Sequence, residues 1–202
     1  MPKKVNQTER KNQIATATWR VILNKGIDKA SIQQIADEAH ISVGLVQHHF
    51  SSKDQLIHYA MNLVLDRMGE RAKTRTKEFS GTKEEALRRL IKFILPTNQE
   101  ELVEGRVWLT FLGKSFKDND LVKLQQKMDQ HTRHLMGMVL DLMEELGYLT
   151  TGFNRDLELE ILYAFTDGLV IHILQTPESF SEKRLDQLIE YYLKGKRGKP
   201  CE

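Results

Sequence analysis

With 202 residues, 40% apolar and 29% charged, the chain has the balance of a soluble protein with a buried core. No run approaches the roughly 20 apolar residues of a membrane span, and MPKKVNQTERKNQ at the N-terminus has no apolar core for a signal peptide. The one cysteine, Cys201, excludes a disulfide within the chain and fits a reducing compartment, so a cytoplasmic location is expected. Net charge is +2, but unevenly spread: residues 1–54 hold eight Lys/Arg and five Asp/Glu, the remainder 22 and 23. A basic excess at one end is a weak pointer to a polyanion partner.

Helix formers are plentiful and only four prolines and twelve glycines interrupt them, so an all-α chain is expected. The first helix starts near Thr8, a candidate cap. It carries Ile14, Ala17, Val21 and Ile22 on one face and stops at Gly26. A second starts at Ser31. Ser31 and Gln34 have the spacing of a capping box, in which each side chain satisfies an orphan N–H of the first turn. Ile35, Ala36 and Ala39 give this helix an apolar side. Ser42 is a good cap for a short third helix ending at Gln47 or His48. So short a gap between two helices is the sequence form of a helix-turn-helix. A long fourth helix runs from Asp54 into the seventies, with Leu56, Ala60, Leu63, Val64 and Arg67 recurring at three and four.

Gly81-Thr82 breaks the pattern, and Thr82 with Glu85 makes another capping box. Leu87, Leu90, Ile91 and Ile94 form the fifth stripe, stopped by Pro96. Val107, Trp108, Phe111 and Leu112 mark a sixth helix. The seventh carries Leu121, Leu124, Met128, His131, Leu135, Met138 and Leu142 and ends at Gly147. The eighth, roughly 155–175, contains ILYAFTDGLVIHIL, apolar nearly all round. Such a helix must be covered on both sides. The ninth has Leu185, Leu188, Ile189 and Tyr192 on one face. The tail KGKRGKPCE is basic and is expected to be disordered.

The stretch ISVGLVQHHFSSKDQLI raises the question of what His48 and His49 do. Residues at i and i+1 of a helix do not face each other, and Ser51, Ser52 and Lys53 supply no further ligand, so the pair is poorly placed for one ion. A short polar helix is also a poor place for a nucleophile and base that need a water-excluding pocket. Two solvated surface histidines are the bland alternative. The context favours another reading: a capped helix, a tight turn and a short helix of small and polar residues suit the DNA major groove. Ser42, Gln47, His48, His49 and Lys53 can all donate hydrogen bonds to phosphate or base edges.

Residues 31–56, SIQQIADEAHISVGLVQHHFSSKDQL, resemble the DNA-binding signature of the TetR family of bacterial repressors. The shared elements are Ser31, Ile35-Ala36, Ala39, Ile41-Ser42, Gly44, His49-Phe50, Lys53 and Leu56. Two departures stand out. The turn position usually held by Gly is His40, which accepts positive φ less easily, and the Tyr usually found two residues before the motif His is Gln47. The resemblance implies that Ser31, Gln47, His49 and Lys53 anchor phosphates. Gln33, Val43, Leu45 and His48 then lie nearest the bases, Ser42 starts the recognition helix, and Gly44 permits close approach. Ile35, Ala36, Ala39, Ile41, Val46 and Phe50 fall to the core.

The resemblance implies an N-terminal three-helix DNA-binding domain (1–53), a helical ligand-binding and dimerisation domain (54–195) and a basic tail (196–202). WLTFLGKSFKDNDL and AFTDGLVIHIL are similar to the branch of the family that contains the choline-responsive repressor of betaine synthesis. Candidate pocket residues are Trp108, Phe111, Leu112, Met128, His131, Leu135 and Met138, with Phe116 a further aromatic; solid core is the other reading of such residues. A four-helix dimer interface from the last two helices would use Leu162, Phe165, Leu169, His172, Leu185, Leu188 and Tyr192. Asp167 and His172 belong either to that interface or to a pocket. The expected function is a homodimeric repressor that binds a palindromic double-stranded operator and is released by a small-molecule effector, with no cofactor, no metal and no membrane partner. Two rivals remain open: a regulator without a small-molecule effector, and a helical metal-dependent enzyme using Asp129, His131 and His134.

Overall fold

The computed structural model describes residues 7–77, 81–115 and 119–196. Among them are nine α-helices and no strand: α1 (Gln7–Lys25), α2 (Ile32–Ala39), α3 (Val43–His49), α4 (Lys53–Lys77), α5 (Lys83–Ile94), α6 (Gln99–Ser115), α7 (Asn119–Glu145), α8 (Arg155–Gln175) and α9 (Glu182–Lys196). A 3-10 turn, Pro177–Ser179, precedes α9. None of these helices is long and apolar enough to cross a membrane. Thr8 lies within α1 and is not its cap. Of the expected basic tail, Lys194 to Lys196 are the last turn of α9; Cys201 and the rest of the tail lie outside the described residues, as does Phe116.

The helix ends follow their local chemistry. The Ser31 hydroxyl accepts from Gln34 N–H and the Gln34 side chain accepts from Ser31 N–H, both at 3.2 Å. Thr82 and Glu85 make the same reciprocal box, at 2.8 and 3.2 Å. Such a cap contributes about 1 kcal/mol. Gly26 and Gly147 end α1 and α7 at φ +83° and +70°, where a side chain would crowd the backbone.

The chain divides into two compact units, Met1–Arg71 with Val103–Gln126, and Ala72–Leu102 with Lys127–Glu202. The division falls within α4, α6 and α7. In the N-terminal unit Ile14, Trp19 and Ile22 of α1, Ile35 and Ala36 of α2, Val46 of α3 and Leu56, Ala60 and Val64 of α4 share one core with Val107 and Phe111 of α6. Packing therefore continues beyond residue 53. Trp19 is buried and its indole N–H donates to the Ala60 carbonyl at 3.0 Å, fixing α1 on α4. The Arg67 guanidinium lies 4.9 Å from the Trp19 ring centroid. Arg67 and Arg71 then reach the buried Glu104 carboxylate at 3.4 and 2.5 Å, so no charge there is left without a partner.

In the C-terminal unit α5 packs against α8 and α9. Leu87, Ile91, Met136, Leu140, Leu162 and Ile189 are fully buried or nearly so. Ion pairs tie the helices at their edges: Arg88 to Glu190, Arg133 to Glu160 and Lys196 to Glu158. The expectation that α8 is covered on both sides is met on one side only within a single chain. Leu157, Ile161 and Ile171 stay 61, 49 and 41% exposed.

The turn between α2 and α3 is a Schellman motif. His40 N–H donates to Asp37 O at 3.1 Å and Ile41 N–H to Ala36 O at 3.0 Å. This geometry requires a left-handed residue, and His40 supplies it at φ 55°, ψ 45°. It is the one non-glycine residue with positive φ among those described. A left-handed L-residue carries roughly 1–2 kcal/mol of strain, partly offset by the freedom glycine gains when unfolded. His40→Gly should therefore raise unfolding free energy by about 0.5–1 kcal/mol in urea melts, and His40→Val should lower it by more than that. Equal stability of all three would show that the turn stores no strain.

Candidate nucleic-acid interface

The α3 helix is held from behind and bare in front. Ser42, at φ −74° and ψ 150°, caps it by accepting from Leu45 N–H at 3.2 Å. Val46 and Phe50 are buried and pin its inner side. On the outer side Ser42, Gly44, Gln47 and His48 are exposed, while Val43, Leu45 and His49 are half-buried. A Cβ added at Gly44 would meet no atom of the protein within 4 Å. The absence of a side chain there serves no packing within the chain.

Ser31 and Gln33 are exposed at the start of α2, where Gln33 donates to Asp37 at 2.9 Å. Lys53, half-buried at the start of α4, reaches the Asp28 carbonyl at 3.3 Å. A contact that long is weak and leaves the ammonium with two further protons to donate. The structure thus brings all ten sequence-derived residues of the helix-turn-helix to α2, α3 and the first residue of α4. It also adds residues that the sequence reading passed over. Ser52 accepts from Gln55 N–H at 3.1 Å and caps α4, while the Gln55 side chain accepts from Ser51 N–H at 2.7 Å. The Ser52–Gln55 spacing repeats that of Ser31–Gln34 and was a readable signal. Arg10 and Lys11 of α1 also act electrostatically on His49; they lie outside the motif and carried no such signal.

The two histidine rings meet edge to face, 5.2 Å between centroids. Partial burial, then His48, Lys11 and Arg10, hold the His49 imidazole below its ordinary value of 6.5. The neutral form is therefore favoured at pH 7. Its hydrogen-bonding capacity there is one donor and one acceptor, not two donors.

In the C-terminal unit, α5 to α9 line a half-open cavity of about 930 Å³. Leu90 and Phe93 come from α5, Met138 and Leu142 from α7, Ile173 from α8, and Phe180 and Leu185 from the α8–α9 corner. Of the seven pocket residues expected from sequence, Met138 alone lines it. Phe111 is buried in the core of the N-terminal unit and Trp108 packs against that core. Leu112 and Leu135 are half-buried, Met128 is buried, and His131 is exposed. His134 is exposed too, Asp129 is bound by Arg133 at 2.9 Å, and no group of three metal-binding side chains occurs among the described residues. Of the expected interface residues, Leu162 and Leu185 are buried inside one chain. Phe165 stacks on Tyr192 with centroids 4.3 Å apart. Leu169 and Leu188 are half-buried, and His172 is exposed with Asp167. Heptad spacing told which residues were apolar; it did not tell which neighbour would cover them.

The family profile described as "Bacterial regulatory proteins, tetR family" matches residues 14–60, and "BetI-type transcriptional repressor, C-terminal" matches residues 83–197. The chain belongs to the TetR family. An HTH-type transcriptional regulator of Bacillus subtilis strain 168, PksA, is 34% identical over 191 residues, covering 94% of this chain and 90% of its own. The HTH-type regulator BetI of Stenotrophomonas maltophilia is 32% identical over 169 residues, covering 84% and 83%. A Pseudomonas aeruginosa PAO1 protein described as a transcriptional regulator superposes with a TM-score of 0.78 at 25% identity, over 95% of this chain and 92% of its own. A Saccharomonospora viridis regulator solved in complex with choline has the same fold, with a TM-score of 0.73 at 24% identity over 93% and 96%. The TetR-family chain is thus a DNA-binding transcriptional regulator. Its family and relatives are regulators and not enzymes, which removes the metal-enzyme rival. TetR regulators typically dimerise.

The lowered proton affinity of His49 makes folding stability depend on pH. The unfolded chain takes up a proton near pH 6.5 and the folded chain only below it. Stability from this site is then complete above that pH and falls as pH drops through it. In an NMR titration the His49 ring should have its midpoint below 6.5, and Lys11→Gln should move it upward. A midpoint above 6.5 would mean that burial and the neighbouring His48, Lys11 and Arg10 do not act on the ring as the structure places them.

Proposed function

We propose that this regulator is a cytoplasmic repressor that binds a palindromic operator as a homodimer and is released by a small molecule held in the cavity of the C-terminal unit. The observation that carries the DNA-binding half is the exposed face of α3, with its open space at Gly44. On this reading the outer side of α3 enters the major groove. His48, Gln33, Val43 and Leu45 lie nearest the bases; the two apolar side chains would read thymine methyls. Ser31, Ser42, Gln47, His49 and Lys53 hold phosphates, with Lys11 and Arg10 adding charge. Residues 1–53 carry the DNA contacts and the chain from 54 to 195 carries ligand and dimer functions.

The dimer reading rests on α8. Leu157, Ile161 and Ile171 recur along one exposed side, and a stripe of that kind suits a two-fold contact with the same stripe of a second copy. Tyr191 of α9 is 82% exposed and extends the apolar surface. The two helix-turn-helix modules would then fall on half-sites about one helical turn apart. In the release step, a ligand in the cavity shifts α4, which passes from one unit into the other, and alters the spacing of the two α3 helices. A coupling of about 1–3 kcal/mol would weaken the operator complex 5- to 150-fold.

Selection of genomic fragments bound by the purified protein, at two salt concentrations, tests the reading. One recovered inverted repeat, with affinity falling steeply as salt rises, is expected; weak binding with no enriched sequence would overturn it. On that operator, His48→Ala should change base preference. Lys53→Ala should weaken all sequences alike and reduce the salt slope by about 1. Ile161→Glu should give a monomer by light scattering and cost on the order of a hundredfold in operator affinity, the loss expected when two linked half-sites become separate. An Ile161→Glu dimer would place the interface elsewhere.

A further inference from the structure

The cavity's volume, about 930 Å³, lies near the upper end of small-molecule sites, which run from roughly 300 to 1,000 Å³. Its polar wall residues decide what class of ligand it suits. Lys92 is held by Asp186 at 2.5 Å and by Glu182 at 3.7 Å. Asp141 is held by Arg155 at 2.7 Å. Thr97 donates both its N–H and its hydroxyl to Glu101, at 2.8 and 3.0 Å. Arg89 acts on Glu85, one helical turn before it. Each polar wall residue therefore already has a partner in the chain.

An ion seated against the apolar part of such a space gives up part of its hydration and meets counter-charges that are already engaged. Neither sign of charge finds an unengaged partner, because Arg89 and Lys92 stand in the wall beside Asp141 and Glu182. Recognition of a quaternary ammonium uses several aromatic faces turned on the charge, Trp best of all. Here the aromatic wall residues are two phenylalanines, Phe93 and Phe180. The other apolar wall residues are aliphatic, as at Leu90, Leu142 and Ile173, and they favour a molecule in proportion to the apolar area buried.

We infer that the cavity takes a largely apolar, uncharged molecule substantially larger than choline, and does not take a quaternary ammonium cation. The inference rests on the reading of this cavity as the effector site and gives that site its ligand class. It separates this chain from the choline-bound regulator that shares its fold.

The test uses the full-length protein and the neutral dye 1-N-phenylnaphthylamine, whose fluorescence rises in apolar surroundings. Straight-chain 1-alkanols from hexanol to decanol should displace the dye, each added methylene tightening binding roughly fourfold. Choline chloride at millimolar concentration should leave it in place. Met138 is 37% exposed and lines the cavity, so Met138→Lys adds a charge to the wall at little risk to folding and should weaken dye binding tenfold or more. Saturable displacement by choline would overturn the ligand class and leave the effector reading standing. Dye binding unchanged in Met138→Lys, or absent in the native protein, would overturn the assignment of apolar ligands to this cavity. Alkanols that bind as expected yet leave operator affinity unaltered would sink the effector reading and leave the ligand class intact.

Discussion

A helix of seven residues does not hold itself in water, where isolated helices shorter than about 12–15 residues are marginal. The geometry of α3 is therefore imposed by its surroundings. Ser42 closes its first turn, Phe50 N–H donates to Val46 O at its end, and both apolar side chains sink into the core. Behind it, Gln13 of α1 donates to the Ala39 carbonyl at 3.0 Å and fixes where α2 stops. Tyr59 of α4 donates to Asn12 of α1 at 2.7 Å. These ties run through α1 and α4, so the aim of the recognition helix is a property of the whole N-terminal core. They also explain why the outer face of α3 can carry polar and small residues that give the helix little stability of their own.

How much of this was readable in advance depended on the range of the interaction. Capping is local: Ser31 with Gln34 and Thr82 with Glu85 involve side chains three residues apart, and both boxes formed as their spacing indicated. The left-handed turn was signalled by position alone, since His40 stands where the motif has glycine. The pocket and the interface depend on which helix covers which face, and spacing within one helix carries no such information. Trp108 and Phe111 had the composition of a cavity wall and went to a core. In α8, apolar residues occur on every side, so the pattern had no phase. Leu162 turned inward while Leu157 and Ile161, four residues apart, stayed out. The contribution of Arg10 and Lys11 was invisible because it reaches His49 through space from another helix.

Shared fold and shared chemistry part company in the C-terminal unit. Function is set by the residues a fold presents and not by the fold itself. The helical frame matches that of a protein seen with choline bound. Yet the ion pairs that tie α5 to α9 and α7 to α8 also occupy the charged groups of the cavity wall. The same contacts that hold the helices together thus engage Lys92, Glu182 and Asp141 of the wall. A protein built this way can change its ligand by exchanging aliphatic wall residues, with its helix contacts undisturbed.

Gly44 places stability and use in opposition. Inside a helix, glycine costs roughly 1 kcal/mol relative to alanine, and nothing in the chain occupies the space a methyl group would fill. Selection for thermostability alone would therefore favour alanine at this position. If a sugar–phosphate chain seats against α3, the same methyl group would stand between them. A variant library ranked by melting temperature would then promote a protein that folds better and no longer recognises its operator, a trade-off common where a site depends on an absent atom.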